Sequence, residues 1–312
     1  MDSSLSDIKK MWAEMSPEEQ REAIAALRLS ALSAMEARGE TPKTKIPVTR
    51  LATGFIDLDR MTTGLHSSDY VLIAARPSMG KTALALNIIR NVVFRDGRSV
   101  TIFSLEMSRE VLMNLLFAQE SRVDAQNIRT GNLSDEDWDK LLESADTIGR
   151  SNLNIDDTPG ISVSELRSKC RKFKLEHGLD LVVIDYLQLM SGSGKVGENR
   201  QQEISDISRG IKALARELDT PIIVLSQLSR APELRYDKRP MMSDLRGSVI
   251  AAQDADLVMF LYRDEYYNKD TDAKGIAELI IGKQRNGPVG TVQLIWMPNY
   301  LRFANMNKER RE

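Results

Sequence analysis

The chain has 312 residues, 42% of them hydrophobic, which is ample for one large core domain with a small appendage. Its 43 basic and 45 acidic residues leave a net charge of −2, which excludes a globally basic nucleic-acid binder; any nucleic acid must be held by local basic loops, or by a ring that gathers them around an axis. One Cys and two His exclude an internal disulfide framework and argue against a protein-built zinc site.

The first four residues, Met1-Asp2-Ser3-Ser4, carry neither a basic nor an apolar signal region, and no apolar run approaches the ~20 residues of a membrane span. The expectation is a cytoplasmic protein with no membrane contact. Cys170, set among Arg167, Lys169, Arg171 and Lys172, reads as a structural thiol. Composition divides the chain into a helical segment with its linker (1–47), a main domain (48–307) and a charged tail (308–312).

In the first part, Ser16-Pro17-Glu18-Glu19 is a helix start, with Ser at the cap, Pro at the first helical position and Glu three residues after the cap. Ile24, Leu27, Ala31, Leu32 and Met35 then form one apolar stripe, and Gly39 is a helix stop. An extended linker, 41–47, follows. Such a stripe needs a surface, either on its own domain or on a neighbouring subunit.

The main domain opens at Thr53-Gly54-Phe55, and Thr62-Thr63-Gly64-Leu65 is a turn. Tyr70–Ala74 is an apolar run that reads as a buried strand, and Ala83–Ile89 has the propensity and period of a helix. Further on, Val100–Ser104 is a strand ending in Leu105-Glu106-Met107, and Ser108 caps a helix to about Arg122. Residues 124–150 read as helical, Leu153–Asp157 as a short strand and Ser162–His177 as a helix. Leu181–Asp185 is a buried strand, Glu198–Leu218 a helix and Pro221–Gln227 another buried strand. Leu257–Leu261, Ala277–Ile281 and Val292–Trp296 close the sheet, the last two antiparallel. Alternating helices and continuous apolar strands predict an α/β fold, a mostly parallel sheet covered on both faces.

Ligands of such sheets sit at the carboxyl ends of the strands. The strand before Ala75-Arg76-Pro77-Ser78-Met79-Gly80-Lys81-Thr82 and the helix after it give that stretch the layout of a phosphate-binding P-loop, although Ala75 stands where the pattern has its first Gly. Backbone N–H groups and the helix N-terminus would face the phosphates, Lys81 would neutralise their charge, and the Thr82 hydroxyl would ligate Mg²⁺. Arg76, Ser78, Met79, Gly80, Lys81, Thr82 and Ala83 are the expected contacts to ATP.

Three more strand ends carry polar groups. Asp185 follows four apolar residues, the form of a Walker B carboxylate that holds the Mg²⁺ shell. Glu106 is placed to orient or deprotonate an attacking water, or else caps the next helix. Gln227 is either a sensor of the terminal phosphate or a satisfied buried amide. Lys283 and Arg285 lie two apart, so both point one way in an extended segment. They read as a solvated hairpin end, or as trans-acting cations if they meet a neighbouring subunit's nucleotide. A second basic group, Arg230, Arg235, Lys238, Arg239 and Arg246, and the Ser191–Gly197 loop with Arg200, are either solvated loops or tracks for single-stranded nucleic acid.

Taken together, these blocks make the sequence resemble the ATPase domain of the DnaB-type bacterial replicative DNA helicases, a RecA-like P-loop NTPase, over roughly residues 50–305. The resemblance rests on the P-loop, Phe103-Ser104-Leu105-Glu106-Met107, Arg129-Thr130-Gly131-Asn132-Leu133, Ile155-Asp156-Asp157-Thr158-Pro159, Asp185-Tyr186-Leu187-Gln188-Leu189-Met190, Glu198–Ile204, Ser226-Gln227-Leu228-Ser229-Arg230, Asp237-Lys238-Arg239-Pro240, Phe260–Tyr267 and Lys283-Gln284-Arg285-Asn286-Gly287. It implies a homohexameric ring around single-stranded DNA, Mg-ATP bound between subunits, 5′→3′ unwinding in DNA replication, and a primase and a loader as partners. It also implies Lys81 and Thr82 on phosphate and Mg²⁺, Glu106 as catalytic carboxylate, Asp185 as Walker B residue, Gln227 as coupler, and Lys283 and Arg285 as the trans-acting pair.

Three departures from the family stand out. The family's N-terminal collar is expected to be missing from this sequence, with residues 1–40 keeping only linker-helix character. The DNA-gripping loop, which includes Arg246, Gly247 and Ser248, reads Asp244-Leu245-Arg246-Gly247-Ser248-Val249 where the family has Asp-Leu-Arg-Glu-Ser-Gly. Leu115 replaces a frequent Arg. An alternative therefore stays open, a RecA-like DNA-binding ATPase that loads or remodels without processive unwinding. A non-catalytic assembly subunit is opposed by the intact Lys81, Thr82, Glu106 and Asp185.

Overall fold

The computed structural model describes residues 50–191, 200–245 and 249–306. The helix expected after Ser16, most of the 191–197 loop and Arg246-Gly247-Ser248 lie outside the described residues. So does the side chain of Arg200.

In chain order the elements are β1 (Arg50–Leu51), α1 (Ile56–Thr62), β2 (Leu65–His66), β3 (Tyr70–Ala75), α2 (Lys81–Arg90), β4 (Val100–Ser104), α3 (Arg109–Ser121), α4 (Ala125–Thr130), α5 (Asp135–Gly149) and β5 (Leu153–Asp156). Then come α6 (Val163–His177), β6 (Leu181–Asp185), α7 (Arg200–Leu218), β7 (Ile222–Gln227), α8 (Val249–Asp254), β8 (Leu257–Tyr262), α9 (Asp264–Tyr267), β9 (Ile276–Gln284), β10 (Gly290–Met297) and β11 (Arg302–Asn305). One nine-stranded sheet holds all but β1 and β2, in the order β11-β10-β9-β8-β3-β7-β6-β4-β5. The six strands from β8 to β5 are parallel, and β9, β10 and β11 extend the sheet antiparallel.

The apolar runs explain the parallel part. Every residue of β3, β6 and β8 is buried, because helices cover both faces. Successive side chains of β3 alternate between two cores, as a strand requires. Val71 and Ile73 pack with Leu84 and Ile88 of α2, Leu112 of α3 and Trp138 of α5; Tyr70 and Leu72 pack with Leu166 of α6 and with Ile207 and Ile211 of α7. Along most of β9 and β10 buried and half-buried positions alternate: one face is buried in the first core, and the other is half-covered, with Ile280 packed against the second. Cys170 is fully buried in the second core, and burial pushes its thiol up to about 12, consistent with a structural thiol.

The structure corrects several element boundaries. Residues 124–150 form two helices, broken at Gly131 (φ +79°), with Ser134 and Asp137 closing a reciprocal cap on α5. Strand β9 runs on through Lys283, so that residue lies in the strand and not after it. Sequence reading missed α1, whose start is tied by its own Asp59: the Thr53 N–H and hydroxyl and the Gly54 N–H all donate to that carboxylate at 2.7–3.0 Å. It also missed β11, too short and mixed to stand out alone.

Candidate functional site

The P-loop begins where β3 runs out of sheet. Ser78 and Gly80 take positive φ, 65° and 96°, and helix α2 starts at the next residue. A Cβ at Gly80 would sit 3.1 Å from the Phe303 ring in a backbone region that disfavours side chains, so this turn requires glycine. The Met79 side chain is buried, which anchors the loop and leaves only its backbone for a ligand.

Two strand ends converge on that turn. The Thr82 hydroxyl donates to Asp185 Oδ2 at 2.6 Å, and the Lys81 ammonium lies 3.2 Å from Asp185 Oδ1 and 4.4 Å from the centre of the Tyr186 ring. Asp185 is fully buried, and its Oδ1 accepts no well-directed hydrogen bond, only the ion pair with Lys81. The Asp185–Tyr186 peptide bond is cis. Register pairs Ser104 of β4 with Asp185, and the Leu105 N–H donates to the Asp185 carbonyl at 2.7 Å. This sets Glu106 at the rim, exposed and without a hydrogen bond or ion pair among the described residues. Burial raises the Tyr186 hydroxyl, and the nearby Glu106 and Asp185 carboxylates raise it further.

The result is a cleft of about 350 Å³ lined by Arg76, Ser78, Gly80, Lys81, Thr82, Ala83, Glu106 and Gln227 among others. These residues, all foreseen from sequence, thus stand near one another, with Asp185 beneath them. Gln227 arrives through the pairing of Ala75 with Gln227, and Gln188 Nε2 donates to its carbonyl at 3.3 Å. Arg76 borders the cleft, but its guanidinium is taken by Glu233 and by the Leu228 carbonyl, both at 2.8 Å. It braces the loop and does not point a free cation at a ligand. A hydroxyl and a buried carboxylate beside a helix N-terminus are hard oxygen donors, the set that suits Mg²⁺ with a phosphate chain.

Lys283 and Arg285 lie elsewhere. Lys283 pairs with Val258 across β8 and β9, and Leu257 pairs with Val71, so both cations sit at the amino-terminal ends of the parallel strands. The cleft is at the carboxyl ends; from Val71 to Ala75 alone is about 13 Å. The Lys283 ammonium donates to the Ala252 and Gln253 carbonyls at 2.9 and 2.6 Å, which closes the end of α8. Arg285 pairs with Asp256 at 3.0 Å, and Asp256 also holds Lys212 and the Tyr70 N–H. Burial lowers the Lys283 pKa, with Arg285 adding to the effect. Gln284 between them donates to the Met61 carbonyl at 3.3 Å.

The basic stretch after β7 is largely self-paired. Arg239 forms two bonds to Glu278, at 2.7 and 2.6 Å, and lies over the Tyr262 ring; Arg235 forms two to Asp244, at 2.6 and 2.8 Å. The Arg239 guanidinium, though exposed, is therefore already paired with Glu278 and is not a bare cation. Arg230 is exposed and has no ion pair among the described residues.

The sequence profile of the DnaB-like helicase C terminal domain matches residues 50–305. The chain belongs to this family. It is 56% identical over 261 residues to the replicative DNA helicase DnaB of Geobacillus stearothermophilus, covering 84% of this chain and 58% of that protein. The same-named protein of Pasteurella multocida is 49% identical over 266 residues, 84% of this chain and 57% of its own length. The chain thus spans a little over half the length of these relatives. Among solved structures, one described as an ATPase domain superposes with a TM-score of 0.80 at 44% identity, over 88% of this chain and 95% of that one. A DnaB-like replicative helicase, described with its interactions with primase, gives the same score and identity over 88% of this chain and 65% of that one. The RecA-like reading of the sheet follows from these neighbours.

Within this DnaB-like frame, three residues escaped the sequence-based site. Tyr186 stands in the sequence only as part of a family block, yet it lies under Lys81. Gln188, from the same block, bridges to Ser226 Oγ at 3.0 Å and so ties the turn after Asp185 to β7. Asp157 accepts the Arg109 N–H at 2.9 Å, close in sequence to Glu106. None has a spacing signal, because each works through a partner distant in sequence. A second cleft of about 330 Å³, between β5 and α6, is lined by none of the site residues expected from sequence.

Proposed function

We propose that this chain is the ATP-hydrolysing motor of a replicative DNA helicase, acting as a homohexameric ring on single-stranded DNA. The observation that carries the reading is the Thr82–Asp185–Lys81 cluster, with Glu106 and Gln227 on the same cleft. Lys81 would shed Asp185 for a phosphate oxygen, and Thr82 with Asp185 would hold Mg²⁺. When bound, Mg²⁺ neutralises charge on the phosphate oxygens. Glu106, unpaired at the rim among the described residues, is free to take the proton of an attacking water. Gln227, at the end of β7 and just before Arg230, links the cleft to the loops on the DNA side.

The location of Lys283 and Arg285 supports assembly. At the far ends of the strands they cannot meet their own chain's nucleotide, so any catalytic use is on a neighbour's, as trans-acting cations. A ring supplies that neighbour and sums the basic loops around one axis, which a chain of net charge −2 needs. Arg230, Arg246, Gly247, Ser248 and Arg200 are the proposed DNA side; primase and a loader are the proposed further partners, and the cytoplasm the proposed location. No helix among the described residues is long and apolar enough to cross a membrane. The altered sequence at Gly247 favours one second reading, a DNA-binding ATPase that loads or remodels without processive unwinding.

Steady-state ATP hydrolysis of wild type, Glu106→Gln and Arg285→Ala, with and without single-stranded DNA near physiological salt, tests the proposal. Wild-type turnover should rise with DNA, and each substitution should abolish it. Turnover that ignores DNA favours the second reading, which strand displacement on a forked substrate then decides.

A further inference from the structure

Glu106 hangs between two pins. On one side the Leu105 N–H donates to the Asp185 carbonyl at 2.7 Å. On the other, helix α3 begins at Arg109, and its cap residue, Ser108, makes no side-chain capping bond to the helix backbone. The cap comes from another element. Asp157 Oδ2 accepts the Arg109 N–H at 2.9 Å, and Asp157 Oδ1 lies 3.8 Å from the Arg109 guanidinium. A carboxylate at this position satisfies one of the helix's orphan N–H groups and faces the positive end of its dipole. Between the pins, the Ser104 hydroxyl donates to the Met107 carbonyl at 2.6 Å and tightens the turn that carries Glu106.

Asp157 is itself held. It follows Asp156, which ends β5 and pairs in register with Phe103 of β4, two residues before Leu105. Lys169 of α6 reaches Asp156 at 2.8 Å and the Thr158 hydroxyl at 2.7 Å, and the Thr158 N–H donates to Asp156 at 3.0 Å. Burial pushes the Asp156 carboxyl up, but Lys169 and Thr158 together hold it below the usual range, so it stays ionised as the base of the clamp. The Asp156-Asp157 pair of the family block thereby has two jobs: the first fixes the turn to α6, the second fixes the start of α3.

We infer that Asp157 is a positioning residue for Glu106, holding the start of α3 so that the carboxylate stays over the cleft. This rests on the reading of Glu106 as the group that handles the attacking water. A general base a fraction of an ångström out of place loses rate while the nucleotide still binds, since Lys81 and Thr82 sit on a different element.

The test compares ATP hydrolysis, binding of a fluorescent nucleotide and thermal unfolding for wild type, Asp157→Ala, Asp157→Asn, Lys169→Met and Glu106→Gln. Asp157→Ala should lower kcat by roughly tenfold to a hundredfold, with KM and nucleotide affinity within about twofold. Asp157→Asn should recover most of that loss, because an amide oxygen also accepts the Arg109 N–H. Lys169→Met, which loosens the turn from outside, should lower kcat by a smaller factor and covers the case in which Asp157→Ala does not fold. If Glu106→Gln is dead and Asp157→Ala keeps wild-type kcat, the positioning role is wrong and the site reading survives. If Glu106→Gln is itself active, both fall. Equal losses in kcat and affinity, tracking the fall in Tm, would make Asp157 a structural cap only and overturn the inference.

Discussion

Asp185 does two things that a single carboxylate can do only when buried beside a helix start. It accepts the Thr82 hydroxyl and balances the Lys81 ammonium, and it is fully buried while Lys81 remains about one-eighth exposed. The asymmetry sets the consequence of neutralising it. In Asp185→Asn the amide oxygen still accepts from Thr82, but the ammonium loses its counter-charge. Lys81 can swing into the open cleft, so the cost stays below that of a fully broken buried pair, on the order of 2 kcal/mol, read from urea unfolding. Turnover should suffer far more, roughly a hundredfold or beyond, because on the proposed reading the carboxylate that would hold Mg²⁺ beside the phosphates is gone. A variant that unfolds at the wild-type urea concentration and hydrolyses ATP normally would remove Asp185 from the site. Residues of this kind were legible in the sequence. A strand of apolar residues ending in Asp, and a small-residue turn ending in Gly-Lys-Thr, name their own positions. Tyr186 and Asp157 were not, since each acts through a partner distant in sequence and nothing in their spacing announces it.

At the scale of elements, the parallel sheet does most of the work of assembling the cleft. Parallel strands bring all their carboxyl ends to one edge, so β3, β4, β6 and β7 deliver Lys81, Glu106, Asp185 and Gln227 there without any local signal beyond strand order. This is why the site could be read from sequence before any register was known. Surface charge is different. Arg235 and Arg239 look like part of a basic track in the sequence, but Asp244 and Glu278 lie folded against them, 9 and 39 residues away. A run of basic residues says nothing of which acids the fold returns to it. The pairing yields a contrast. Arg230→Ala should weaken single-stranded DNA binding severalfold and reduce its salt dependence by about one ion equivalent. Arg239→Ala should leave DNA affinity within about twofold and instead lower Tm, as it breaks a two-bond ion pair to β9. Fluorescence anisotropy with a labelled oligonucleotide, at low and at high salt, separates the two. A larger DNA defect in Arg239→Ala would mean that this guanidinium leaves Glu278 for phosphate.

The whole molecule has two unlike ends: the cleft with its P-loop at one end of the sheet, the Lys283 and Arg285 pair at the other. On the proposed reading, a monomer built this way carries half of two different sites. Head-to-tail association places the far end of one copy against the cleft of the next, and a ring closes the series so that no half-site is left over. The two ends are also tied through the fold, since Lys283 closes the end of α8 and Arg285 shares Asp256 with the first residue of β3, the strand that leads to the P-loop. The arrangement makes a definite prediction for mixed assemblies. Lys81→Ala removes the cleft side of a site and Arg285→Ala the opposite side, and each alone should be inactive in ATP hydrolysis. Mixed and reassembled, an Arg285→Ala subunit, with its cleft intact, meets the intact far end of a Lys81→Ala subunit. With random placement about one interface in four then holds two intact halves, and activity should return toward that fraction under the same salt and DNA conditions. Sites complete within one chain would give no recovery, because every subunit in the mixture carries one lesion in its own site.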